Sequence, residues 1–139
     1  MKRSFFLIKP DAVLFGHIEK IINFLKMSEF KIVARKRVIL RRENIMFLYP
    51  MHVFQGFFED LVAFMISGPS ELFIVEKDSA VEDLDWLVGE TDPKENKGNT
   101  LRGQFGTDIR HNAVHSSNGQ ENAVREILYF FPEFINQVY

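Results

Sequence analysis

The chain contains no cysteine among its 139 residues. Disulfides, zinc–thiolate sites and thiol nucleophiles are therefore excluded together, and a cytoplasmic setting is the default expectation. Long apolar runs are also missing. Phe5 to Ile8 follows the charged opening Met1-Lys2-Arg3, but Lys9-Pro10-Asp11 stops it too soon for a signal peptide. No stretch approaches the ~20 apolar residues that span a bilayer, so no membrane role is expected. Charge of one sign is lacking as well: the formal net charge is −2. There is no general pull toward nucleic acid, and a phosphate ligand must be held by local cations. The backbone phosphate cradles G-x-x-x-x-G-K-S/T and G-x-G-x-x-G do not occur, nor do the H-E-x-x-H zinc helix and the G-x-S-x-G elbow. No histidines and carboxylates stand at metal-ligand spacing. What remains is a 46% hydrophobic chain of balanced charge, a composition that predicts one folded domain over residues 1–139.

Periodicity divides that domain. Ser4 to Lys9 reads as a central strand, ended by Pro10, which has no N–H for a ladder. Ile18, Ile21, Ile22 and Leu25 form the stripe of a core-facing helix. From Phe30 to Leu40 the pattern alternates: Phe30, Ile32, Ala34, Val38 and Leu40 face one way. Lys31, Arg35, Arg37 and Arg41 mostly face the other, as the solvated side of a strand. Arg42 to Tyr49 predicts a short helix before Pro50. Phe54 to Met65 predicts a helix with two stripes, Phe58-Val62-Met65 and Phe57-Leu61-Phe64, more apolar surface than one core contact needs. Gly68-Pro69 is a turn, and Leu72 to Val75 a fully apolar strand.

Ser79 and Glu82 read as a capping box for a helix through Val81, Leu84 and Val88, closed by Gly89. Glu90 to Thr100 is a polar loop without periodicity, of a length that is usually functional. Asn112 to His115 reads as a short buried strand. Ser117, with Gln120, reads as the cap of a last helix from Gln120 to Phe131, whose stripe is Val124, Ile127, Leu128 and Phe131. An imidazole between a strand end and a helix start is either a structural histidine or one placed where an anion can approach. His17, in the first helix, and His52, in a loop, read as structural or solvent-facing. The element order predicts an α/β sandwich of ferredoxin-like βαββαβ type, with helices on one face of a four-stranded, mainly antiparallel sheet.

Five segments carry a family resemblance: Ile8-Lys9-Pro10-Asp11, Ser67-Gly68-Pro69, Gly89-Glu90-Thr91-Asp92-Pro93, Thr100-Leu101-Arg102-Gly103 and Asn112-Ala113-Val114-His115-Ser116-Ser117. Their order and spacing resemble those of nucleoside diphosphate kinases, over essentially the whole chain. The resemblance implies that His115 is a nucleophile carrying phosphate between nucleoside tri- and diphosphates in two half-reactions. Glu126 matches the carboxylate that orients the histidine ring, and Tyr49 and Ser117 match residues close to it. Lys9, Thr91 and Arg102 match phosphate contacts; Lys9 and Asn112 also match ribose contacts. Phe57 matches the ring on which the base stacks, with Leu61 and Ile109 nearby, which implies broad base specificity. The resemblance further implies Mg2+ held by the nucleotide's phosphates, and a homo-oligomer, tetramer or hexamer.

Some positions depart from the family pattern. Asp85 stands where the pattern has a phosphate-binding arginine, and Lys94 or Lys97 is a candidate to restore the charge. Asn118 replaces an aspartate, Ser116 a glycine or alanine, Phe15 a basic residue, His111 an arginine, and Gly98-Asn99 a proline-glycine. Two alternatives stay open on the residues alone: a catalytically weakened relative that binds nucleotides or regulates, and an unrelated ferredoxin-like interaction domain.

Overall fold

The computed structural model describes residues 2–137. The elements run β1 (Lys2–Ile8), α1 (Pro10–Leu14), α2 (Ile18–Met27), β2 (Lys31–Val38), α3 (Arg42–Leu48), α4 (Phe58–Met65), β3 (Ser70–Lys77), α5 (Ala80–Val88), α6 (Leu101–Phe105), β4 (Val114–Ser116) and α7 (Gln120–Phe130). The strands form one sheet in the order β2-β3-β1-β4, each neighbouring pair antiparallel. No described helix is long and apolar enough to cross a membrane.

β1 and β3 are the inner strands, and their unbroken apolar runs follow from burial on both faces. Phe6, Ile8, Phe73 and Val75 point to one side and pack against Ile21, Ile22 and Leu25 of α2 and Ala80, Leu84 and Val88 of α5. Phe5, Leu7, Leu72 and Ile74 point to the other and meet Ile45 and Leu48 of α3, four residues of α4, and Ile127 and Phe130 of α7. The expectation of helices on one face is thus corrected. Both faces are covered, because strands apolar at consecutive positions have two sides to bury.

Four local expectations also change. The alternation in β2 is broken where pairing slips between Ile32 and Ala34. Ile32 then packs on the first core and Val33 and Ala34 on the second. On the polar side, Lys31, Arg35 and Arg37 are exposed as expected, and Arg35 and Arg37 also reach the buried Glu71 carboxylate at 2.8 and 3.4 Å. The helix expected from Phe54 begins at Phe58, leaving Phe54 fully exposed and Phe57 at 42%. The Ser79 side chain makes no capping bond to α5. His17 is the residue before α2 rather than within it, its ring 5.1 Å from that of Phe105.

Gly89, after α5, has the reason for being glycine that the pattern predicts. Its φ is +90°, and a Cβ there would stand 2.1 Å from Asn96 Oδ1. Asn96 in turn staples the following loop. It accepts from Glu90 N–H at 2.7 Å and donates to the carbonyls of Glu90 and Asp92, both at 2.9 Å. Thr100 then caps α6 by accepting from Gly103 N–H at 3.1 Å.

Candidate active site

His115 lies on β4, opposite Leu7 at the end of β1. His115 is 9% exposed, and its ring has the Tyr49 ring edge-on at 5.7 Å and the Phe5 ring at 6.1 Å. His115 Nε2 is 2.8 Å from Glu126 Oε1. A carboxylate oxygen only accepts, so Nε2 carries a hydrogen, and in the neutral ring this contact selects the tautomer whose Nδ1 keeps its lone pair. Glu126 is a buried residue of α7, 3% exposed. The same Oε1 accepts from the Ser117 hydroxyl at 2.8 Å. Ser117 is therefore not the helix cap expected of it. Gly119 occupies that position, and the Ser117 hydroxyl is spent on the carboxylate that holds His115.

Around this pair stand four polar residues, Lys9, Asn112, Arg102 and Tyr49. Lys9 is buried at the end of β1 and donates from Nζ to Asn112 Oδ1 at 2.8 Å. Burial, with the Arg102 cation beside it, lowers its pKa to about 7. Asn112 donates to the carbonyls of Thr91 at 3.0 Å and Ile109 at 3.2 Å, tying the loop to the strand. Arg102 is anchored by its Nη atoms to the carbonyls of Gly89 at 3.2 Å and Val114 at 3.0 Å. Its buried Nε has no partner among the described residues, and neither has the Tyr49 hydroxyl. Burial also pushes the Tyr49 phenol well above its ordinary range, so the hydroxyl stays a donor. Buried donors left unpaired are costly unless a ligand takes them.

Two adjoining cavities, of ≈ 1000 and ≈ 590 Å³, meet at Tyr49, His52, Thr91, Arg102 and His115. The smaller is lined by Lys9, Phe57, Leu61, Ile109 and Asn112, of which Phe57 and Ile109 are exposed and Lys9 and Asn112 buried. One ring face of Phe57 is approached by Arg110 at 5.9 Å. The larger is lined by Glu126, Asp85, Trp86, Glu90 and Arg125, among others. Of the residues singled out in the sequence, Lys9, Tyr49, Phe57, Leu61, Thr91, Arg102, Ile109, Asn112, His115 and Glu126 line this cleft; Ser117 stands behind Glu126.

Asp85 does face the cleft, and its carboxylate and that of Glu90 oppose the burial that lowers the Arg102 pKa. Lys94 and Lys97 do not line it. The cation found there instead is Arg125, one residue before Glu126. Its guanidinium lies 3.9 Å over the Phe47 ring, donates to the Phe47 carbonyl, and approaches Glu126 Oε2 at 4.0 Å. His52 was expected to be structural or solvent-facing. It lines both cavities, with its ring 5.2 Å from Phe57. Arg125 and His52 lie off any apolar stripe and outside any motif, and only the tertiary arrangement brings them in. No three histidines or carboxylates converge on a point among the described residues.

The chain as a whole is similar to known proteins. The family profile "Nucleoside diphosphate kinase" matches residues 2–135. A nucleoside diphosphate kinase of Campylobacter jejuni is 44% identical over 131 residues, covering 94% of this chain and 96% of its own. One from Thiobacillus denitrificans is 42% identical over 132 residues, 95% and 93% of the two chains. Among solved structures, the apo nucleoside diphosphate kinase of Encephalitozoon cuniculi superposes with a TM-score of 0.93 at 32% identity, covering 100% of this chain and 95% of its own. That of Halobacterium salinarum, in complex with CDP, gives 0.89 at 33% identity, covering 94% and 87%. The chain belongs to the nucleoside diphosphate kinase family.

Proposed function

We propose that the protein moves the γ-phosphate of a nucleoside triphosphate to a nucleoside diphosphate through a phosphohistidine at His115. The observation that carries this reading is the Nε2–Glu126 bond of 2.8 Å, made by a histidine on the wall that the two cavities share. In the neutral ring it leaves the Nδ1 lone pair free. Nδ1 attacks the γ-phosphorus, the bond from that phosphorus to the β-bridging oxygen breaks, and the diphosphate leaves. A terminal oxygen of a second diphosphate then attacks, and the P–N bond breaks. Glu126 stabilises the positive charge that the ring gains while phosphorylated, and Ser117 holds Glu126 in place.

In this reading Arg102, Thr91 and the Tyr49 hydroxyl take the phosphates. Lys9 and Asn112 take the ribose, and Lys9 also reaches the phosphates. The base lies between Phe57 and Ile109, with Leu61 beneath. Stacking accepts any base, since every base offers a π-face. The CDP in the Halobacterium salinarum structure supports a nucleoside diphosphate as the ligand class.

The family uses a divalent metal. Here Asp85 and Glu90 are the exposed-side carboxylates of the cleft wall, and no metal cage converges among the described residues. That donor set suits an ion brought in on the phosphates, Mg2+ in this reading, which neutralises phosphate charge when bound. The protein is proposed to act in the cytoplasm as a homo-oligomer, a tetramer or a hexamer, which its mass by light scattering would establish. The reaction itself is tested by mixing one triphosphate with a diphosphate of a different base and separating the products by ion exchange. A new triphosphate of the second base is expected, at similar rates for all bases. No transfer to any diphosphate would refute the reading.

A further inference from the structure

Ala113 stands two residues before His115 with φ of +74°. Val114 N–H donates across it to the Asn112 carbonyl at 2.9 Å. This is a γ-turn with a left-handed central residue, a rare and strained form. Such strain persists only where the surroundings over-determine it. Three bonds from the junction of β1 and α1 do so here. Lys9 N–H donates to the Ala113 carbonyl at 2.8 Å, and Lys9 Nζ to Asn112 Oδ1 at 2.8 Å. The third is made by Asp11, whose Oδ2 accepts the Ala113 N–H at 3.1 Å. Asp11 lines neither cavity.

We infer that Asp11 is a positioning residue: its carboxylate holds the left-handed turn at Ala113 and so sets where Asn112 and His115 stand in the cleft. The inference rests on the phosphotransfer reading for its kinetic consequences. The turn converts the loop tied by Asn112 into the strand pair Ile8–Val114 and Leu7–His115. A rotated Ala113 peptide would move both residues against the ligand, and misplacement by about 1 Å can cost 100-fold in rate. Asp11 has a second effect, through charge. The charged groups facing Lys9 are Arg102 and Arg110, which lower its pKa, and Asp11, which raises it; the Tyr49 ring lies 5.9 Å from Nζ. A neutral side chain at 11 would leave the two arginines unopposed.

The two effects separate by substitution. In Asp11→Asn the amide oxygen still accepts the Ala113 N–H, while the charge is gone. Most of kcat is expected to survive, with the alkaline limb of kcat/KM moved to lower pH. Asp11→Ala loses the acceptor, and kcat is expected to fall on the order of 100-fold. Adding Ala113→Gly to Asp11→Ala should recover much of that loss, because glycine takes positive φ without strain. The idea is overturned if Asp11→Ala keeps the wild-type kcat, or if Asp11→Asn is as impaired as Asp11→Ala and glycine at 113 restores nothing. Amide hydrogen exchange at Ala113 decides the turn without any activity. Protection lost in Asp11→Ala and kept in Asp11→Asn supports it, and protection unchanged in Asp11→Ala overturns it. A wild type that transfers no phosphate would defeat the functional reading and leave the exchange result to judge Asp11.

Discussion

Replacing Glu126 by alanine removes one oxygen that two buried donors share, and its cost can be worked from the site. His115 Nε2–H and the Ser117 hydroxyl both end on Oε1 at 2.8 Å, and Glu126 itself is 3% exposed. The bond to His115 is charge-assisted once the ring is phosphorylated, and such bonds contribute roughly 1.5–3 kcal/mol. Glu126→Ala should therefore lower kcat about ten- to a hundredfold, since each ~1.4 kcal/mol is a factor of ten. KM should change little, because Glu126 acts on the ring rather than on the nucleotide. Glu126→Gln keeps an oxygen for both donors and loses only the charge, so it should fall between wild type and alanine. Rapid-quench measurement of phosphoenzyme formation, beside steady-state kcat, would place the loss in the chemical step. A Glu126→Ala enzyme within threefold of wild type, or a glutamine variant worse than the alanine one, would refute the reasoning.

Asp85→Arg should tighten nucleotide binding about ten- to a hundredfold by supplying charge-assisted bonds to phosphate of roughly 1.5–3 kcal/mol; calorimetric titration with a diphosphate checks it, and unchanged affinity counts against a weakened phosphate clamp. Phe57→Ala should raise KM for every nucleotide alike, by the roughly 1–3 kcal/mol that a stacked base contributes, whereas a loss confined to one base would point to hydrogen-bonded readout. Lys9 has a folded-state pKa of about 7 against the usual 10.5. The folded form therefore binds fewer protons than the unfolded one between those values, where the buried lysine is neutral and the unfolded one still charged, so stability rises with pH through that window. Lys9→Met should consequently raise Tm at neutral pH while abolishing activity, and a lowered Tm in thermal melts would contradict the cost assigned to that buried cation. In wild type, kcat/KM should fall as pH rises through about 7 if the charged lysine is needed by the free enzyme.

Much of this was readable from residue order because the features are local. The consecutive apolar residues of β1 and β3, the stripe of α2, and Gly89 after α5 each answer to a short-range rule, and the family segments keep their spacing. What escaped depends on partners far along the chain. Ser117 has the look of a cap, yet its hydroxyl serves Glu126, nine residues on. Ser79 has the same look and caps nothing. The alternation of β2 could not announce the slip at Val33, which arises from pairing with β3. Helices on both faces follow from strands that are apolar at successive positions, a signal present in Phe5-Phe6-Leu7-Ile8 but read only as burial. Asp11, Ala113 and Asn96 do their work through backbone groups, and backbone geometry leaves little trace in side-chain patterns. Arg125 enters the cleft by lying over Phe47, a contact between α7 and α3 that no spacing rule anticipates.

The central claim is the covalent phosphohistidine, and it is tested most directly by incubation with γ-labelled ATP and magnesium, followed by an unlabelled nucleoside diphosphate. Acid-labile label is expected on the wild-type chain, discharged by the diphosphate and absent from His115→Ala. Label retained on His115→Ala, or nucleotide binding by wild type with no label at all, would contradict it.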